Sequence, residues 1–382
     1  MCLVALLVSF LTVVELNCEN LFDTVDDSLK RDESFLPASN YHWTPNRYWR
    51  KLNHIGQAIL SCGMLDSLQV VPDLVALTEV ENDSVMRDLT CRSLLRQAGY
   101  SYVMTDSPDE RGIDVALLYS PFAFRLLRYH SIRIAPMSHF GATRDILYVS
   151  GEVISGDTLH VFVVHAPSRS GGERFTRPYR LHVARHLCHA IDSLRATTPA
   201  PHIIVMGDFN DYTDDAAMLL LRSKNLTDIS ARAHGRHGAK GTYRYHGDWG
   251  SLDHVLCDSS MAARLVECHV NDAPFLLCDD DKYGGVKPRR TYLGPRYLGG
   301  FSDHLPLVSV FRMGKYKEGK FAVGASSLCG WSRRSACFIC FACNIPVPLV
   351  RFSLTPCSTL WRRSRRPRSS SQPCAWSSLR SS

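Results

Sequence analysis

Residues 202–211 read HIIVMGDFND. The apolar run from Ile203 to Met206 is too short for a helix and has the composition of a strand buried on both faces. It stops abruptly at Gly207, and Asp208, Asn210 and Asp211 follow. Core strands usually end in neutral turn residues. A strand that delivers carboxylates and an amide to its C-terminal end marks the place where an open sheet binds ligands. The same design recurs in LNCEN at 16–20, LTEVEN at 77–82, VVHAPSR at 163–169 and FSDHLP at 301–306. GSLDHVL at 250–256 sets its acid near the start of a strand. Each segment alone has an ordinary explanation: Asn17 and Asn210 as turn or cap residues, Glu79 as a helix-start acid, His165 as a buried histidine, Asp303-His304 as a turn before Pro306. Together they argue for one crevice lined by Asp, Glu, Asn and His. That donor set suits a hard cation, Mg²⁺ or Mn²⁺, better than zinc.

Working outward, apolar runs predict strands over 12–16, 73–78, 100–104, 113–119, 124–132, 145–153, 159–164, 202–206, 252–256, 263–269 and 307–311. Helical periodicity covers 47–62, 84–97 and 176–194, with a short helix after Asp214. Helix-separated strands alternate with strand-rich stretches, which fits two packed sheets covered by helices better than one doubly wound sheet. Residues 270–300, rich in Asp, Gly, Pro, Arg and Tyr, predict a long surface loop framing a site.

The 382-residue chain is 45% hydrophobic and 21% charged, which excludes disordered and collagen-like classes. Its 44 Lys and Arg exceed its 37 Asp and Glu, but 13 of those bases face only one acid within 312–382. Residues 1–311 hold 31 bases and 36 acids, so any attraction of the body to nucleic acid is local or metal-mediated. Eight of the 14 cysteines are scattered through that body without paired spacing, which predicts small buried hydrophobes and no disulfide framework. The domain expected over 1–311 is followed by a basic Ser-, Arg- and Cys-rich tail, 312–382. That tail reads either as a nucleic-acid- or membrane-touching extension or as disordered or non-native sequence. Cys337, Cys340 and Cys343 have metal-like spacing but lack a fourth ligand. Residues 2–14 form an apolar run that resembles a signal core, without a preceding base or a clean cleavage site. Read as the first buried strand, it carries Asn17 and Glu19 to its end. The compartment, secreted or periplasmic against cytoplasmic, stays open.

The order of these motifs resembles the endonuclease/exonuclease/phosphatase superfamily, deoxyribonuclease I-like and of a bacterial branch, over roughly residues 12–311. GDFND (207–211) and SDHLP (302–306) carry the resemblance, supported by NCENLFD (17–23), TEVEN (78–82) and RGIDVALLY (111–119). It implies a four-layer α/β sandwich, two packed mixed β-sheets flanked by helices, and a metal-dependent phosphoesterase.

The resemblance also implies roles. Glu79 is the principal metal ligand, assisted by Asn17 and Glu19, with Asp303 close to the metal. Asp208 and Asn210 orient the nucleophile and contact the phosphate. His304 is the general base, with Asp253 fixing its tautomer. His165 acts as acid or charge stabiliser. Arg111 and Arg169 are phosphate contacts and Asp114 orients His165, although plain surface ion pairs would explain Arg111 and Asp114 as well. Arg144 is a further phosphate candidate, and Arg289, Arg290 and Arg296 with Tyr292 and Tyr297 form a rim patch. The expected substrate is a phosphodiester, DNA or RNA, hydrolysed by an endonuclease. The rivals are a phosphodiesterase or phosphatase for a small-molecule or lipid phosphate, and a non-catalytic binding protein on the same fold.

Overall fold

The structure, a computed structural model, describes residues 8–65, 68–138, 140–315, 337–340 and 345–348. Two six-stranded sheets hold the body. In chain order the strands are β1 (Val8–Leu21), β2 (Leu74–Val80), β3 (Ser101–Met104), β4 (Asp114–Tyr119), β5 (Phe124–Ile132), β6 (Ile146–Val153), β7 (Thr158–His165), β8 (His202–Asp208), β9 (Leu226–Asp228), β10 (Tyr243–Tyr245), β11 (Asp248–Gly250), β12 (Asp253–Asp258), β13 (Leu265–Val270) and β14 (Leu307–Lys315). The first sheet runs β13-β14-β1-β2-β4-β3 and the second β9-β12-β8-β7-β6-β5. Each has one parallel pair at its centre, β1 with β2 and β8 with β7, and antiparallel neighbours on both sides.

Side chains alternate along the second sheet as a strand's period of two requires. Ile204, Met206, Val161 and Val163 join the large core shared with the first sheet. Ile203, Val205, Phe162 and Val164 turn the other way, into a core with Val183, Leu187, Ile191 and Leu194. Those four lie on one stripe of helix α3 (Glu173–Thr197), which covers that outer face. Helix α1 (Pro45–Ser61) begins with Pro at its first turn, where no backbone N–H is needed, and presents Tyr48, Leu52, Ile55 and Ile59 to the large core. Helix α2 (Asp83–Cys91) starts at Asn82, whose side chain accepts from the Val85 N–H at 3.0 Å. The result is the four-layer α/β sandwich expected from the sequence.

Three differences matter for the site. β1 starts at Val8 and pairs with β14 from Val8↔Lys315 onward, so β14 runs past the expected boundary at residue 311. The short hairpin β10–β11 lies within a stretch that the sequence left unassigned. The expected surface loop at 270–300 includes two small hairpins, Leu277–Asp279 with Val286–Pro288 and Tyr292–Leu293 with Arg296–Tyr297, and Thr291 and Tyr292 are buried. The described body cysteines are all free. Cys18, Cys62, Cys188 and Cys257 are buried as expected, while Cys91 is exposed. No helix among the described residues is long and apolar enough to cross a membrane.

A second unit, Gly324–Ser382, is described only by the antiparallel strands Cys337–Cys340 and Ile345–Pro348. Cys343 and the arginine-rich stretch lie outside the described residues, as does the apolar start of the chain before Val8.

Candidate active site

The C-terminal ends of the two central parallel pairs meet at one cavity of about 740 Å³. The first sheet brings Asn17 from β1 and Glu79 from β2. The second brings His165 from β7 and Asp208 from β8. Glu79 has a left-handed backbone, φ 59°, and falls where β2 slips its register between Thr78 and Val80 against both neighbours. Such a bulge lifts one residue out of the ladder and re-aims its side chain. Glu19, Asn20 and Asn210 are also left-handed, so half of the eight such non-glycine residues described lie at this cavity. Backbone strain of that kind is sustained only where the surrounding structure over-determines it.

Asn17 Nδ2 donates to Asp208 Oδ2 at 3.0 Å, and the Asn20 N–H donates to Glu79 Oε2 at 2.8 Å. His165 Nε2 is 3.8 Å from Glu79 Oε1 and 3.9 Å from Asp208 Oδ2, so both carboxylates surround one imidazole edge. Asn210 donates from its backbone to Asp208 Oδ1 at 2.9 Å and from its side chain to the Ala166 carbonyl at 3.1 Å.

Across from Glu79, the register of β12 places Asp253 beside Asp208. Asp253 Oδ2 accepts from Thr242 Oγ1 and lies 2.8 Å from His304 Nδ1. His304 is positioned by Ser302, whose hydroxyl accepts from the His304 N–H at 3.1 Å and donates to the Asn17 carbonyl at 2.7 Å. Tyr243 packs its ring 4.8 Å from the His304 ring. All six expected centres, Asn17, Glu79, His165, Asp208, Asp253 and His304, thus come together, with Asn210 beside them.

The two histidines are driven apart electrostatically. Burial, followed by Arg144 and Arg111, holds His165 well below the ordinary imidazole range, so it is neutral. Burial would also lower His304, but Asp253, Asp208 and Asp303 outweigh it and raise its pKa well above that range. Burial and then Asp253 push Asp208 up to about 7. These crowded, buried oxygen ligands fit a hard divalent cation, which relieves their mutual repulsion. Asp208, Asp253 and His304 also form a tight trio, with ligand atoms within 4.8 Å of one another. A cation inside the trio would compete with the Asp253–His304 hydrogen bond. The open side toward Glu79 needs no such break.

Other expected residues are placed differently. Glu19 turns away from Glu79: it accepts from the Thr291 N–H at 2.5 Å and lies 3.7 Å from the buried Lys51 Nζ and 3.4 Å from Arg290 Nε. It pins the 290–301 loop. Asp303 lies 2.9 Å from Arg290 Nη2. Asp114 does not orient His165, because its carboxylate is taken by the hydroxyls of Thr105 and Ser107 and by the Ser107 N–H. Arg111 lines the cavity and donates to Asn20 Oδ1. Arg169 also lines it, but donates to Asp215 Oδ2 at 2.9 Å and lies over the Tyr212 ring at 4.8 Å. Arg144 is buried and donates to the Ala166 carbonyl at 2.9 Å, fixing the residue after His165. Arg290 and Tyr292 of the expected rim patch do line the cavity.

Sequence reasoning missed Thr242, Tyr243, Ser302, Lys51 and Glu15. Ser302 alone had a signal, its place in SDHLP. Glu15 is fully buried, its acid raised well above the ordinary range by burial and then by Asp253 and Asp208.

Residues 12–313 match the model of the Endonuclease/Exonuclease/phosphatase family. Three solved structures share the fold. A family protein from Bacteroides thetaiotaomicron superposes with a TM-score of 0.54 at 15% identity, covering 80% of this chain and 99% of that one. A mannosyl-6-phosphatase from the same organism gives 0.53 at 16% identity, over 78% and 98%. A functionally unknown conserved protein from Enterococcus faecalis gives 0.51 at 14% identity, over 79% and 100%. No curated protein gives a significant match to this chain.

Proposed function

The chain belongs to the endonuclease/exonuclease/phosphatase family, and from that premise we propose a metal-assisted phosphoesterase that hydrolyses phosphodiesters of nucleic acid. The observation that carries this reading is the buried Asp253–His304 pair beside Asp208, facing Glu79 and His165 across one cavity. Hydrolysis adds water across a P–O bond. The water must lose a proton, the equatorial oxygens must be neutralised, and the departing oxygen takes a proton from solvent as the P–O bond breaks.

Asp253 holds His304 through Nδ1, which leaves Nε2 to take the proton from water. Asp208 and Asn210 orient that water and the phosphate beside it. His165, kept neutral, offers an N–H to a phosphate oxygen without adding a charge. Arg111 and Arg169, both at the cavity wall, are the phosphate contacts. Glu79 and Asp208 would hold a divalent cation, with Asn17 and Asp303 nearby. Such an ion supplies charge neutralisation and lowers the pKa of bound water. Mg²⁺ and Mn²⁺ match the oxygen donors.

A second reading, a phosphatase for a small phosphate ester, has one observation in its favour: the cavity has the volume of a small-molecule site. One protein of the same fold is a mannosyl-6-phosphatase. The test is hydrolysis of plasmid DNA, single-stranded DNA, RNA, bis-p-nitrophenyl phosphate and mannose 6-phosphate with Mg²⁺, Mn²⁺ or EDTA. The controls are Glu79→Ala and His304→Ala. Cleaved nucleic acid that disappears with EDTA and in both variants supports the nuclease. Activity confined to a small ester moves the assignment to the second reading. Silence on every substrate from folded, metal-loaded protein removes both.

A further inference from the structure

Beside His304, the strand β10 leads out of the cavity. It is joined to the catalytic segment by a bridge between Tyr243 and His304 and by the Leu305 N–H, which donates to the Thr242 carbonyl at 2.8 Å. Residues two apart on a strand share a face and are separated by about 6.6 Å. Tyr245 is therefore the next ring outward from Tyr243 on the His304 side. It lines the same cavity, yet it is 59% exposed and has no place in either core.

The ring is held ready rather than left loose. His246 stacks on Tyr245 at 4.0 Å and 11°, and Tyr283 continues the stack at 6.2 Å and 24° from His246. Between Tyr243 and Tyr245, Arg244 anchors the hairpin. It donates to the carbonyls of Gly247 at 3.0 Å, Gly284 at 2.8 Å and Val286, and its guanidinium lies 5.6 Å from the Trp249 ring. An aromatic face fixed in this way, one step from the reacting centre and open to solvent, is a preorganised stacking surface.

We propose that Tyr245, backed by His246, is a platform for the base of a nucleotide next to the scissile phosphate, and that the substrate is single-stranded nucleic acid. A base inside a duplex has both faces covered by its neighbours, whereas an unpaired one can leave the stack and lie on a tyrosine. Of the arginines that line the cavity, Arg31, Arg169 and Arg290 are paired with carboxylates, whereas Arg111 donates to the neutral Asn20 amide and keeps its charge for an adjoining phosphate on a body that is acidic as a whole. This inference rests on the nuclease reading above and names its substrate class.

The kinetic test compares a single-stranded oligonucleotide with one whose bases are replaced by tetrahydrofuran. Tyr245→Ala is expected to raise KM for the intact strand about 5- to 150-fold, the range for losing one base–aromatic stack. It should leave kcat nearly unchanged and barely affect the base-free strand, and Tyr245→Phe should restore KM. An equal KM rise on both strands, or none on the intact one, overturns the platform. A second readout does not need turnover. In a His304→Ala background with Mg²⁺, a 2-aminopurine oligonucleotide should lose fluorescence on binding, and Tyr245→Ala should abolish that quench. A Tyr245-dependent quench from a protein that hydrolyses nothing keeps the platform and removes the hydrolase. Hydrolysis that is indifferent to Tyr245 does the reverse.

Discussion

His304 and His165 share one cavity and are pushed in opposite directions, and that contrast fixes the pH behaviour expected of each. His304 has a raised pKa, so it is neutral, and able to accept a proton, only as pH climbs above the ordinary imidazole range. Log kcat/KM should therefore ascend with pH through and beyond neutrality, and His304→Ala should lose that limb. Asp253→Asn keeps the shape but presents a donor or a weaker acceptor to His304 Nδ1, so kcat should fall about 10²- to 10⁴-fold with KM little changed. A variant with wild-type kcat would remove Asp253 from the machinery. Most of the centre was legible at this scale, because acids, amides and imidazoles stood where apolar runs stopped. Glu15 was not, since a lone acid inside TVVEL gives no sign that Asp253, far along the chain, will lie beside it. Asp114 misled for the same reason: its partners, Thr105 and Ser107, are ordinary hydroxyls that the sequence does not single out.

At the scale of single elements, β8 depends on Gly207. Its φ is 144°, and a Cβ there would sit 1.8 Å from the Val164 carbonyl of the parallel neighbour β7. Backbone cannot yield as a flexible side chain does, so Gly207→Ala should cost upward of ~3 kcal/mol, read as a lower midpoint in urea unfolding. The turn after β2 carries a different liability. Glu81 accepts from the Asp23 N–H at 2.6 Å, but burial and then Asp23 and Asp32 raise its pKa to about 8. The unfolded chain releases that proton near pH 4.5, whereas the folded chain keeps it until about pH 8. The unfolded state therefore binds fewer protons across the window, and this group's contribution to stability declines as pH rises. At roughly 1.4 kcal/mol per unit the loss is on the order of 5 kcal/mol. Glu81→Gln should flatten that slope and raise the Tm at pH 8, while an unchanged slope would place the proton elsewhere. Apolar strands such as β7 and β8 were readable because burial on both faces leaves a nearly unbroken run. The hairpin β10–β11 was not, because its three-residue strands gain their order from Arg244 and from the 284–286 backbone, partners outside the local pattern.

For the whole molecule, the candidate centre is divided between the sheets: Asn17 and Glu79 come from one, His165 and Asp208 from the other, and His304 from the segment entering β14. A chain ending after Lys315 retains all twelve strands of the two sheets, and its Tm and kcat/KM should match those of the full chain. A chain ending after Pro306 loses β14 and should have no cooperative transition. The pairing of β1 with β14 also has a consequence for biosynthesis. Of the twelve strands in the two sheets, β1 is translated first and is central to its sheet, and its partner from Leu307 to Lys315 is translated after the other eleven. The imidazole of His304 is set in place by that same late segment. On the proposed nuclease reading, a nascent chain tethered beside its own message lacks a complete centre until His304 and β14 have been made, so the order of synthesis would keep it from acting on the template that encodes it.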